Sequence, residues 1–142
     1  MGERVPQTLK NHARFDPLYH YFMAPLSTAF LIWAIAHLVR HPGHESIAWL
    51  VATLLLFLTI FKARTYALKA QDRVIRLEER LRLLSLAPNA PISGLKEGQL
   101  IALRFASDAE LPALAERAAS GSLNGKQIKE AIQSWRPDYF RV

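Results

Sequence analysis

Residues 46–61 read SIAWLVATLLLFLTIF, and residues 62–86 continue as KARTYALKAQDRVIRLEERLRLLSL. Neither proline nor glycine interrupts this run, so nothing in it breaks a helix. The first part has no charge. From Lys62 onward, basic and acidic side chains recur every few positions while an apolar rhythm persists. An uncharged apolar stretch suits the interior of a bilayer, whereas a charged helix with a repeating apolar stripe suits water and a packing partner. The join predicts a second membrane span that runs without a break into a long cytoplasmic amphipathic helix.

The stripe in that helix has a definite period. Ala63, Ala67, Ala70, Val74, Leu77, Leu81 and Leu84 follow one another at alternating steps of four and three, the a/d spacing of a coiled coil. Alanine near the membrane permits close approach of helices, and Val74, Leu77, Leu81 and Leu84 further out bury more area. Leu68, Ile75 and Leu83 widen the stripe beyond a narrow seam. Two partners fit such a surface: the chain's own C-terminal part, or a helix of another chain.

Upstream of residue 46, His41-Pro42-Gly43-His44-Glu45 reads as a tight turn. Before it, residues 17–40 form another predicted helix, about 36 Å long and sufficient to cross a hydrocarbon core of about 30 Å. Asp16 is a good N-cap and Pro17 suits the first helical position. Tyr19, Tyr21 and Phe22 form an aromatic belt at the interface, and Pro25 predicts a modest kink. Ala34-Ile35-Ala36 has the form of a signal-peptidase site, but Asp16-Pro17 and polar aromatics precede the apolar run where a basic n-region would stand, so the run reads as a span. The whole is an all-α membrane protein: an N-terminal cytoplasmic arm (1–16), a two-helix transmembrane hairpin (17–61, with spans at about 20–40 and 46–61), the heptad helix (62–86) and a small three-helix C-terminal region (87–142).

Charge orients the hairpin. The chain carries +6 overall, and residues 62–86, with seven basic and three acidic side chains, hold most of it. The turn has only Arg40 beside its histidines, while Arg4, Lys10 and Arg14 precede the first span and Lys62, Arg64, Lys69 and Arg73 follow the second. The positive-inside rule places both termini in the cytoplasm. Basic side chains between Lys62 and Arg82 would there meet anionic lipid headgroups. The absence of cysteine excludes disulfide and thiol chemistry.

In the C-terminal region, Ala87-Pro88-Asn89-Ala90-Pro91 ends the long helix. Short helices are predicted at 95–106, at 109–120 after the capping-box spacing Ser107…Glu110 with Gly121 as a stop, and at 125–135 after the box Asn124…Gln127. So few large apolar residues make a thin core, which is expected to complete its burial against the long helix or a neighbour. The aromatic tail Trp135, Tyr139 and Phe140 could dock on the chain's own helices or on a partner.

The segments KNHARFDPLYHYF (10–22), QLIALRFASDAELPAL (99–114) and QIKEAIQSWRPDYFRV (127–142) resemble blocks of an uncharacterised family of small bacterial two-span inner-membrane proteins. The resemblance implies the two-span architecture and a bacterial inner-membrane location. It implies no activity, cofactor or catalytic residue.

Candidate chemistry is sparse. His37 and His41 stand i, i+4, with His44 in the turn, a spacing that could hold a metal; His20 or His37 could ligate haem or a chlorophyll-type pigment. The competing reading is interfacial or solvated imidazole. No phosphate loop, nucleophilic triad or intramembrane carboxylate pair is present. The helix-turn-helix-like stretch 100–119 carries Glu110 and Glu116 against Arg117, a poor recognition surface, so nucleic acid is not an expected partner. The expectation is therefore a non-catalytic accessory or scaffolding subunit of a larger bacterial membrane complex, of the respiratory or photosynthetic kind, without a cofactor and with other membrane subunits as partners. The alternatives are a histidine-mediated pigment or haem protein and a self-associating coiled-coil membrane organiser.

Overall fold

A computed structural model describes residues 6–12 and 15–139. Every regular element among them is helical: a π-helical turn Leu18–Met23, α1 (Ala24–Arg40), α2 (His44–Leu86), a 3-10 turn Ile92–Gly94, α3 (Glu97–Leu103), α4 (Leu111–Ala119) and α5 (Gly125–Ala131). Residues group into two compact units, one of 15–69 and the other of 6–12 with 70–139.

In the first unit, Asp16 caps as its residue type predicts, its Oδ1 accepting from the Tyr19 N–H at 3.2 Å. The helix then differs from expectation. Pro25 has no N–H to donate, and its ring crowds the carbonyl one turn back. The preceding turn is widened, with the Ala24 N–H bonded to Tyr19 O five residues back, and regular α-geometry follows only from Ala24. The α1–α2 connection is shorter than predicted, because α2 begins at His44. The Ser46 hydroxyl donates to His41 O and closes the turn. Small residues spaced by seven are buried on each helix: Ser27 and Ala34 on α1, Ser46 and Thr53 on α2. Trp33 meets Trp49 with ring centroids 6.1 Å apart, and Tyr19 meets Phe61 at 6.1 Å. The large apolar side chains around them, among them Ile32, Val51, Leu55 and Leu56, are exposed. Two helices, Leu18–Arg40 and His44–Leu86, are long and apolar enough to cross a membrane, each holding an 18-residue stretch with a mean hydropathy of 1.8 and 2.0 respectively.

The 43 residues of α2 make a rod of about 64 Å. Its unbroken course through the apolar-to-charged junction matches the expectation of one continuous helix over residues 46–86. In the second unit the C-terminal helices do pack on this rod, but not on the predicted stripe. Ile75, Glu79 and Leu83, at successive i+4 steps, are the buried positions, and Leu83 is fully enclosed with Leu100, Leu103, Phe105, Leu111 and Ile128. Val74, Leu77, Leu81 and Leu84 stand 54, 60, 58 and 52 % exposed, so the expectation that Leu77 and Leu81 bury most of their side chains does not hold within the chain. At 100° per residue, the stripe and the buried face are centred roughly 180° apart around the helix. Both faces are apolar, and the fold takes the one sampled by Ile75 and Leu83.

The C-terminal helices are shorter than their apolar patterns suggest. After Leu103 the chain makes tight turns and extends, so that Ala106 pairs antiparallel with Trp135 and the Arg136 N–H donates to Phe105 O at 2.8 Å. That pairing draws residues 104–106 and 132–136 out of helix. The Asn124 box forms, with Oδ1 accepting from the Lys126 and Gln127 N–H groups at 3.0 Å and Gln127 Oε1 accepting from Asn124 N–H at 2.8 Å. The Ser107 box does not: Glu110 turns its carboxylate to the Gln133 and Ser134 N–H groups instead, and α4 starts at Leu111. Gly121, at φ +82°, ends α4 as predicted. Gln99, 5 % exposed, donates to Ala118 O and Leu123 O and ties α3 to the end of α4.

The N-terminal arm is not an isolated extension. Gln7 is 7 % exposed and exchanges two bonds with the backbone of Asp138, Nε2 to the carbonyl at 2.9 Å and Oε1 from the N–H at 2.8 Å. His12 lies edge-on to Phe105 at 5.8 Å and beside Trp135 at 5.9 Å, with Nε2 3.2 Å from Lys129 Nζ.

Candidate functional site

The predicted histidine positions are built by α1 and its two ends. His37 stacks on Trp33, one turn earlier, with centroids 5.2 Å apart and rings 12° from parallel, and His41 stands 5.2 Å from His37. The i, i+4 juxtaposition read from the sequence is thus present. His44 begins α2 and is exposed. Among the described residues no group of three or more histidine or carboxylate side chains is placed to hold a metal ion. His20 is half-buried between Phe15 and Tyr19, and its Nδ1 lies 2.8 Å from Asp16 O. That nitrogen is engaged with the start of its own helix, leaving Nε2 as the one ring atom for another ligand.

A denser polar cluster, unmarked by any motif, lies between α2 and the C-terminal segments. Arg82 holds three partners at once: Asp108 Oδ1 accepts from Nε at 2.7 Å, Glu79 Oε2 from Nη1 at 3.0 Å and Ala106 O from Nη2 at 2.7 Å. Arg136 Nη1 lies 3.6 Å from the other Glu79 oxygen, Arg104 Nη1 lies 3.6 Å from Asp138 Oδ2, and Arg76 pairs with Glu97. Burial raises the Glu79 pKa above the usual carboxylate value, and the Arg82 and Arg136 charges oppose that rise without cancelling it. Burial likewise lowers the Arg104 pKa, with Asp138 opposing, and lowers that of Lys129, to which Arg104 adds. The cleft beside them, lined by Ile75, Glu78, Glu79, Arg104, Arg136 and Asp138, measures about 80 Å3. Small-molecule pockets run from about 300 Å3 upward, so the cleft is a seam in the packing rather than a substrate pocket. The cluster docks the C-terminal unit on α2 by pairing Glu79 with Arg82 and Arg136, and Arg82 with Asp108. Its only sequence signal was the i+4 series Ile75, Glu79, Leu83, with a carboxylate where a core residue was due.

The exposed stripe Val74, Leu77, Leu81 and Leu84 remains as the apolar surface of the second unit, flanked by Arg73, Arg76 and Arg80. With Leu77 and Glu97 these line a broad, shallow groove of about 510 Å3. Trp135 does not join this surface: its ring is half-buried against Phe105, 5.0 Å away, because the Ala106–Trp135 pairing turns it into its own core. Tyr139 is 36 % exposed at the edge of the unit, and Phe140 lies outside the described residues.

Comparison with curated proteins finds no match, and neither does comparison with solved structures. Residues 3–142 match the model of a family of unknown function (DUF6526), and the chain belongs to that family.

Proposed function

We propose that the protein is a non-catalytic accessory or scaffolding subunit of a larger bacterial membrane complex, of the respiratory or photosynthetic kind. It is anchored in the inner membrane by a transmembrane hairpin and braces the cytoplasmic face. The observation that carries this reading is the course of α2. One unbroken helix begins with large apolar side chains exposed around it except on the face of Ser46 and Thr53, and continues with a docked domain on one face and an uncovered apolar stripe on the other. The first condition suits lipid, and the second suits a protein partner.

Two further observations support the hairpin. Trp33 meets Trp49 and Tyr19 meets Phe61, a pairing in which residue numbers rise through the π-helical turn and α1 as they fall along α2. Moreover, Gln7 precedes both apolar helices and Asp138 follows both, yet the two are hydrogen-bonded, which requires an even number of crossings between them. The positive-inside rule then assigns the shared side to the cytoplasm. There Lys62, Lys69 and Arg73 face the headgroup region, where anionic lipid is a second partner.

Purification in mild detergent followed by mass spectrometry tests the proposal. Other membrane subunits should accompany the chain at stoichiometric level; recovery without any second kind of chain refutes it.

A further inference from the structure

The structure leaves one apolar face of α2 uncovered, and we infer that its occupant is a second copy of this chain, paired in parallel through Val74, Leu77, Leu81 and Leu84. The inference rests on the reading above that this stripe lies outside the membrane and receives a partner. Three observations select a second copy. The face is free for it: the chain's own C-terminal unit occupies Ile75, Glu79 and Leu83, roughly 180° around the helix, so two paired helices would carry their domains outward without collision. The spacing matches a two-stranded coil, with Ala70, Leu77 and Leu84 at d and Val74 and Leu81 at a, and the Val74–Leu77 step has the β-branched a residue and leucine d residue that favour dimers. The flanks are complementary in the parallel sense. Arg73 falls at g and Glu78 at e, so that Arg73 of each copy faces Glu78 of the other, twice by symmetry, and both side chains are exposed and available. Copies inserted through the same two spans point α2 in the same direction, which excludes the antiparallel pairing. Arg80, the next g residue, faces Ser85 of the second copy, so no like charges are opposed at these flanks.

The chain has no cysteine, so single-cysteine variants of the full protein report pairing directly in native membranes. Leu77→Cys and Leu84→Cys should form a disulfide-linked dimer at least about tenfold more efficiently than Lys69→Cys, which stands at an outward c position. On the Leu77→Cys background, Arg73→Glu should lower the dimer yield several-fold, and adding Glu78→Arg should restore it. Equal yields at 69, 77 and 84, or cross-linking of Leu77→Cys only to a different protein, would overturn the inference. Failure here is separable from failure of the accessory reading. A cross-linked dimer that purifies with no other chain retains the pairing and removes the larger complex. A single copy that purifies with other subunits does the reverse.

Discussion

Leu83 and Leu77 lie on one helix, six residues apart, and should respond very differently to truncation. Leu83 is 0 % exposed and sits among the largest core side chains, whereas Leu77 is 60 % exposed. Leu83→Ala removes three buried carbons. At about 0.8 kcal/mol each, the lost transfer energy is about 2.4 kcal/mol, and the cavity left behind brings the expected cost to about 3–5 kcal/mol. A unit of roughly 70 residues is stable by about 4–10 kcal/mol, so this one change consumes much of the total. Leu77→Ala removes carbons that are already mostly in water and should cost about 1 kcal/mol or less. The assay is hydrogen exchange by mass spectrometry on the full-length protein in detergent, diluted until copies are separate, following peptides from Glu97–Leu103 and Gly125–Ala131. Exchange there should accelerate by about a hundredfold or more in Leu83→Ala and by less than about tenfold in Leu77→Ala. Equal acceleration in the two variants would refute the assignment of the faces, and with it the uncovered stripe on which the functional reading depends.

Glu79→Gln tests the buried carboxylate. A folded-state pKa raised above 4.5 stabilises the fold fully below that value, and the contribution is lost as pH rises through the raised pKa. The denaturation midpoint of the wild type should therefore fall relative to Glu79→Gln as pH is taken upward from about 4; a constant difference between the two proteins counts against it. Gln7→Ala deletes both bonds to Asp138 and should free residues 6–12 to proteolysis at a cost of about 1–3 kcal/mol, leaving α3–α5 protected. Gly125→Ala places a Cβ 2.9 Å from Gly98 O and should lower the thermal midpoint, whereas Gly98→Ala, which meets nothing within 4 Å, should leave it nearly unchanged. A cysteine at Gly43 should react with an impermeant label on intact cells, and cysteines near either terminus should not; the opposite pattern reverses the orientation.

Local rules made several elements legible. The uncharged run and the lack of helix breakers set the course of α2. Asp16, Asn124 and Gly121 marked helix ends, because each acts on backbone groups within a few residues of itself. The histidine pair His37 and His41 was readable for the same reason, since a helix fixes what lies four residues apart.

Periodicity shows that a face is apolar, but it does not say what covers it. Residues 70–86 carry two apolar faces, and the stripe with the cleaner heptad is the one the chain's own domain leaves bare. The choice was made by the shape and charge of distant segments: Asp108 and the Ala106 carbonyl draw in Arg82, and Arg136 sits against Glu79. Ser107 illustrates the same competition on a small scale, its capping box forfeited because the Glu110 carboxylate satisfies two N–H groups more than twenty residues away. The clamp between Gln7 and Asp138 spans 131 residues and leaves no trace in spacing or composition. Sequence alone therefore determined the helices and the likeness of their apolar runs to membrane spans, because those follow from neighbours along the chain. Tertiary structure alone decided which face is core, where the arm is tied and which apolar surface stays uncovered, because those depend on groups that only folding brings together.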